Sequence, residues 1–220
     1  MSAATAPAAR IAVLASGEGT NLQALIDAAA QGTLGGEIVA VLSDRSGARC
    51  LERARAASIA ADHVAVAPTR EPDYDANMRA ALLELMPDLI VLAGYMRIMS
   101  RKCVETFGER MLNLHPSLLP RHKGNNTHAR VLEAGDDVHG ASVHFVTAQL
   151  DGGPCVVQYR IRVTASDDVD SLSARVHRGE YMILPMAVEW FCRGRLRLQN
   201  ANVMLDGVAL NQPVVIEEDE

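Results

Sequence analysis

Apolar residues in this chain fall into short unbroken runs separated by stretches with helical spacing. The first run, RIAVLAS (10–16), is β-branched and apolar on both faces, as a strand buried from both sides must be. GEGTN follows, then LQALIDAAAQG with apolar residues at helical intervals, closed by Gly32. The alternation continues with a strand EIVAVLSD (37–44), a helix GARCLERARAAS, a short strand near DHVAV, and a helix YDANMRAALLEL stopped by Pro87. DLIVLAGY (88–95) predicts another strand, residues from about 100 to 108 a helix, and RMLNLH (110–115) the next strand. After residue 138 the pattern changes. HGASVHFVT and GPCVVQYRIRV, joined by AQLDGG, predict an antiparallel hairpin. A long helix from about 168 to 192 and a short final strand GRLRLQN complete the chain.

Strands that are apolar throughout and alternate with helices predict an α/β fold. It should be doubly wound, a mostly parallel sheet covered by helices on both faces, with an antiparallel hairpin in the C-terminal part. No composition shift marks a linker, so residues 1–220 read as one domain. Residues 1–9 and about 212–220 are expected to be flexible, the latter because VVIEEDE is acidic. Ligands of such sheets bind at the carboxyl ends of strands near a topological switch point. That directs attention to the junctions 16–21, 94–99 and 113–117.

SGEGTN (16–21) can bring backbone N–H groups against an anion at a helix start. A plain strand–helix turn, with Thr20 or Asn21 as N-cap, is the alternative. A dinucleotide fingerprint would need a third glycine where Leu22 stands. Asp44 resembles the ribose-binding acid of nicotinamide enzymes, which keeps an oxidoreductase reading open, although one phosphate fits better than a pyrophosphate.

In NLHPSLLP (113–120) the side chains of Asn113 and His115 share one face, with Leu112 and Leu114 on the other. Pro116 holds His115 extended. An amide can donate to a developing oxyanion, and an imidazole can carry a proton near neutral pH. Asp151, in QLDGGP, is a candidate carboxylate partner, or an ordinary hairpin aspartate. His144 reads equally as a satisfied core histidine or a hydrogen-bonding relay, His128 is a further candidate, and His139 is expected to be solvated. No histidine pair has metal-ligand spacing, so no metal is expected.

Of 220 residues, 49% are hydrophobic and the net charge is −6. That excludes a broad nucleic-acid-binding face but not a small anionic substrate. The scattered Cys50, Cys103, Cys155 and Cys192 imply reduced thiols. No apolar run approaches the ~20 residues of a membrane span, and a cytoplasmic location is expected.

LASGEGTNLQALI, VLAGYMRIMS, NLHPSLLP and HGASVHFVTAQLDGGP, in that order, resemble the phosphoribosylglycinamide formyltransferase family of folate-dependent enzymes. The likeness runs from about residue 10 to 210. It implies transfer of a formyl group from the cosubstrate 10-formyltetrahydrofolate to phosphoribosylglycinamide, without metal, and it allows a homodimer. A formyltetrahydrofolate hydrolase shares the central motif and is the alternative within the superfamily. On this sequence the resemblance implies a catalytic trio of Asn113, His115 and Asp151. Gly19, Thr20 and Asn21, with His177, Arg178, Gly179 and Glu180, would hold the ribonucleotide, Glu180 near its amine. Arg70, Met96, Arg97, Ile98 and Met99, with Asn113 and the run Thr147, Ala148, Gln149, Leu150 and Asp151, would hold the folate. His144, Ser142 and His128 would support them. Glu18, Asn126 and Tyr181 depart from the family's usual residues at their positions.

Overall fold

The computed structural model describes residues 8–69, 71 and 73–218. Arg70 and residues 1–7, both assigned roles from sequence, lie outside them. Among the described residues eleven strands and six α-helices alternate largely as expected: β1 (Ala9–Leu14), α1 (Thr20–Ala30), β2 (Gly36–Ser43), α2 (Arg49–Ala56), β3 (Ala60–His63), α3 (Ala76–Leu85), β4 (Leu89–Leu92), α4 (Arg101–Phe107) and β5 (Met111–His115). Then come α5 (Thr127–Ala134), β6 (Val138–Phe145), β7 (Cys155–Arg162), α6 (Val169–Cys192), β8 (Leu196–Gln199), β9 (Asn202–Leu205), β10 (Val208–Ala209) and β11 (Val214–Glu217).

The main sheet has the order β11-β7-β6-β5-β4-β1-β2-β3. Its pairings are parallel except β5–β6 and β6–β7, which are antiparallel. Alternation along β1 shows why both faces are covered. Ile11, Val13 and Ala15 join a core with α1, α2, α5 and α6, while Ala12 and Leu14 join a second core with α3 and α4. The order reverses between β1 and β4, so the loops leaving them lie side by side. Ser16 N–H donates to the Gly94 carbonyl at 3.0 Å.

Four expectations change. The short strand near 62–66 lies at Ala60–His63, where pairing with β2 sets its position. The segment GRLRLQN opens a separate three-stranded sheet, β10-β9-β8, instead of ending the chain's structure. Ala9, expected in a flexible lead, pairs with Gly36 in β1. The acidic C-terminal segment, expected to be flexible from about 212, is ordered among its described residues, and residues 219–220 lie outside them. Val214, Val215 and Ile216 extend the sheet beside β7, and Glu217 and Glu218 meet Arg160 and Arg175. Among the described residues no helix is long and apolar enough to cross a membrane, and all four cysteines are free thiols.

Candidate active site

The three junctions singled out above converge at the carboxyl ends of β1, β4 and β5. Asn113 pairs across the sheet with Leu92 on one side and His144 on the other. The ladder therefore holds an amide and an imidazole face to face, with Asn113 Nδ2 and His144 Nε2 3.0 Å apart. His144 Nδ1 lies 2.8 Å from the Phe145 carbonyl, which can only accept. The proton must be on Nδ1, so Nε2 accepts from Asn113. This fixes the amide's orientation and leaves its second N–H for another acceptor. Burial pushes the His144 pKa down and keeps the ring neutral, as that arrangement requires. His144 thus acts as a hydrogen-bonding partner of Asn113, one of the two roles left open above.

His115 is buried at 6% exposure, and both of its ring nitrogens face acceptors. Nε2 donates to the His122 carbonyl at 3.0 Å, and Nδ1 lies 3.5 Å from Asp151 Oδ2. Asp151 has a left-handed backbone, with φ of 45°. Its Oδ2 also accepts the Gly124 N–H at 2.9 Å, and its Oδ1 lies 3.8 Å from His144 Nε2. The segment His122–Gly124 therefore spans the His115–Asp151 pair. Sequence reasoning had no signal for these backbone groups. Ser142 sits beneath, accepting the Leu119 N–H and donating to the Ser117 carbonyl, and so braces the turn that follows His115.

The second cluster joins the glycine loop to α6. Gly19, not Thr20 or Asn21, is the N-cap of α1, and its φ of 72° is left-handed. A Cβ there would lie 2.7 Å from the Cys50 Cβ, so only glycine fits. Asn21 Nδ2–H donates to Glu180 Oε2 at 2.8 Å. Asn21 Oδ1 is buried with no hydrogen-bond partner among the described residues. Burial pushes the Glu180 carboxyl up, against the opposing pull of Asn21, His177 and His115. A buried carboxylate beside an unused amide oxygen is a pair of acceptors awaiting an N–H donor. His177 Nε2 stands 3.8 Å from Glu180, and its ring stacks on Tyr181.

Other expected site residues lie apart from these two clusters. Gly179 is packed against the Tyr159 ring, Arg178 reaches toward Glu218 at 3.7 Å, and Arg97 is paired with Asp44 at 3.0 Å. Met96 and Ile98 are exposed, as is Leu150 from the 146–154 loop, whereas Met99 belongs to the core. Thr147 Oγ donates within its own loop to the Gln149 carbonyl, and Ala148 and Gln149 are exposed. Asn126 caps α5 with a left-handed backbone, and the exposed Glu18 carboxylate pairs with Arg49. Asp44, compared above with a ribose-binding acid, has a side chain 2% exposed and committed to Ser16 and Arg97. It cannot serve a dinucleotide ribose without breaking both contacts, which argues against the oxidoreductase reading. Among the described residues, no three His, Cys, Asp or Glu side chains cluster to hold a metal ion.

His139, expected to be solvated, is 1% exposed, and its Nε2 lies 2.9 Å from His128 Nδ1. Burial pushes His139 from 6.5 down to about 3, with His128 adding to the effect, and burial also lowers His128. A depressed histidine stabilises the fold above its unfolded value and loses that contribution as pH falls toward the folded one. Stability should therefore decline between pH 6.5 and 3. His139→Gln should flatten the decline by on the order of 3 kcal/mol at pH 4, read from urea unfolding across that range. An unchanged slope would show that His139 titrates normally.

Residues 9–188 match the Formyl transferase family. The chain is 45% identical over 203 residues to a phosphoribosylglycinamide formyltransferase of Escherichia coli, covering 91% of this chain and 95% of that protein. It is 43% identical over 202 residues to the Haemophilus influenzae protein of the same name, with the same two coverages. The phosphoribosylglycinamide formyltransferase of Coxiella burnetii, solved in complex with CHES, superposes with a TM-score of 0.87 at 42% identity, covering 96% of this chain and 99% of that one. With the fold, the strand-end amide and imidazole and these likenesses together, the chain belongs to the formyl transferase family.

Proposed function

We propose that this protein transfers the formyl group of 10-formyltetrahydrofolate to the amine of phosphoribosylglycinamide, a step of purine biosynthesis, in the cytoplasm. One observation carries the reading furthest. The buried Glu180 carboxyl is within electrostatic reach of His115, and Asn21, hydrogen-bonded to Glu180, brings its unused Oδ1 beside it, so an amine held by Glu180 and Asn21 would face the trio. Exposed Met96, Ile98 and Leu150 offer apolar surface to a pterin ring, and the loop at Gly19–Asn21 offers backbone N–H groups to the phosphate.

In this reading the neutral amine attacks the formyl carbon, and negative charge grows on the formyl oxygen. The free N–H of Asn113 donates to it. The oxygen also competes with the His122 carbonyl for the His115 Nε2–H, a bond worth more to an oxyanion than to a neutral acceptor. The new C–N bond forms, the bond from carbon to the folate nitrogen breaks, and one proton passes from the attacking nitrogen to the leaving one. His115, faced by the Asp151 carboxylate, carries that proton; positioned transfer contributes about 10²–10⁴-fold. Holding both substrates along one cleft supplies orientation.

The test is to follow 10-formyltetrahydrofolate with and without phosphoribosylglycinamide. Consumption that requires the ribonucleotide supports the transferase, and equal consumption without it selects the hydrolase. The dephosphorylated riboside should lose at least 10²-fold in kcat/KM, because the remote phosphate supplies binding energy that positions the amine. Equal use of the two would reduce the glycine loop to a turn.

A further inference from the structure

Asp44 follows β2 directly, yet its carboxylate serves neither β2 nor solvent. Oδ1 accepts the Ser16 hydroxyl at 2.6 Å, and Ser16 Oγ in turn accepts the Met96 N–H at 2.8 Å. Oδ2 accepts from Arg97 Nε at 3.0 Å. Ser16 is 1% exposed and the Asp44 side chain 2%. A carboxylate so buried is costly unless fully paired, and here each oxygen is spoken for by a different loop. Ser16 begins the glycine loop, while Met96 and Arg97 belong to the 94–99 loop. The two loops bracket the switch point from opposite sides.

The far end of the 94–99 loop is tied down separately. Tyr74 Oη–H donates to the Ile98 carbonyl at 2.9 Å, and the Ser100 N–H donates to Asp75 at 2.8 Å. Neither contact reaches the glycine loop. Two side-chain links therefore join the loops, the Ser16 hydroxyl accepting directly from Met96 and Asp44 orienting that hydroxyl while holding Arg97, beside one backbone bond from Ser16 to Gly94.

We propose that Asp44 is a positioning residue that locks the glycine loop to the 94–99 loop, so that the phosphate end of one substrate and the folate are held at a set separation. The consequence for catalysis rests on the function proposed above; the locking itself does not. In this role Asp44 acts through Ser16, Met96 and Arg97 and not by contact with a substrate.

The locking is read first without substrate, by amide hydrogen exchange. In Asp44→Ala, residues 16–21 and 94–99 should both exchange about tenfold faster, since both lose their shared anchor. In Tyr74→Phe, only 94–99 should change. Unaltered exchange in either loop of Asp44→Ala overturns the proposal. Kinetics then test the consequence. Asp44→Ala should raise KM for both substrates about tenfold with kcat within threefold. Asp44→Asn retains an oxygen for Ser16 but none for Arg97. It should restore KM for the ribonucleotide and leave KM for the folate raised. A drop in Tm or active fraction with both KM values unchanged would mean a purely structural carboxylate, and would sink the idea. If Asp44→Ala does not fold, Ser16→Ala removes the Ser16 end of the bridge together with its Met96 contact and should loosen both loops; loosening of one alone overturns the proposal. Wild-type protein that transfers no formyl group would defeat the functional reading, while the exchange data still decide the locking.

Discussion

Asn113→Ala should lower kcat for formyl transfer by about 10²–10³-fold, the usual loss for removing one oxyanion donor, with little change in either KM. In the proposed mechanism the amide's second N–H meets charge that exists mainly in the transition state, so its removal costs turnover more than binding. The variant also leaves His144 Nε2 without its 3.0 Å partner. Stability should fall by about 1–3 kcal/mol and the fold should persist. Steady-state kinetics with circular dichroism separate the two effects. A kcat within threefold of the parent would remove Asn113 from the chemistry.

The second large effect is on the fold. Gly179 lies where α6 crosses β7, and a Cβ there would sit 1.8 Å from Tyr159 Cδ1. That atom belongs to the root of a buried ring, not to the loose end of a flexible chain, so ring and helix must part. Gly179→Ala should destabilise by about 1–3 kcal/mol or more, lowering Tm by several degrees. Because Glu180 is the next residue, the displaced helix should also loosen the acceptors proposed for the amine and raise KM for the ribonucleotide. An unchanged Tm would show that the contact relaxes freely. Among the residues expected to hold the ribonucleotide, Gly179 then serves by letting α6 approach.

Most of the sheet was legible because its central strands are apolar on both faces and its helices keep their period. The exceptions share a cause. β3 is Ala-Ala-Asp-His, mostly exposed, and takes its position from β2 and not from its own side chains. THARVLEA of α5 drew no expectation from the sequence; it packs Val131 into a core built by distant elements. Val214–Glu217 looked like a solvated tail because its charges were counted without Arg160 and Arg175. Within the site, the shared face of Asn113 and His115 follows from a period of two. The approach of Asp151 to His115 does not, since it depends on a left-handed residue in a loop. Burial of His139 and Asp44 depends on what packs over them from elsewhere, and neither is written in the neighbouring residues.

The pairing of Asn113 opposite His144 has a consequence for how this protein tolerates change. Their spacing is set by backbone hydrogen bonds between β5 and β6, not by the fit of their own side chains. Core substitutions that conserve register leave the spacing of this pair alone, however much they alter packing. A slip of one residue between the strands would turn one partner to the opposite face. Damage to this pair from distant mutations should therefore be all-or-none, with few graded intermediates. The sheet serves as a ruler with a single marked division, and the enzyme's margin for error is one peptide unit.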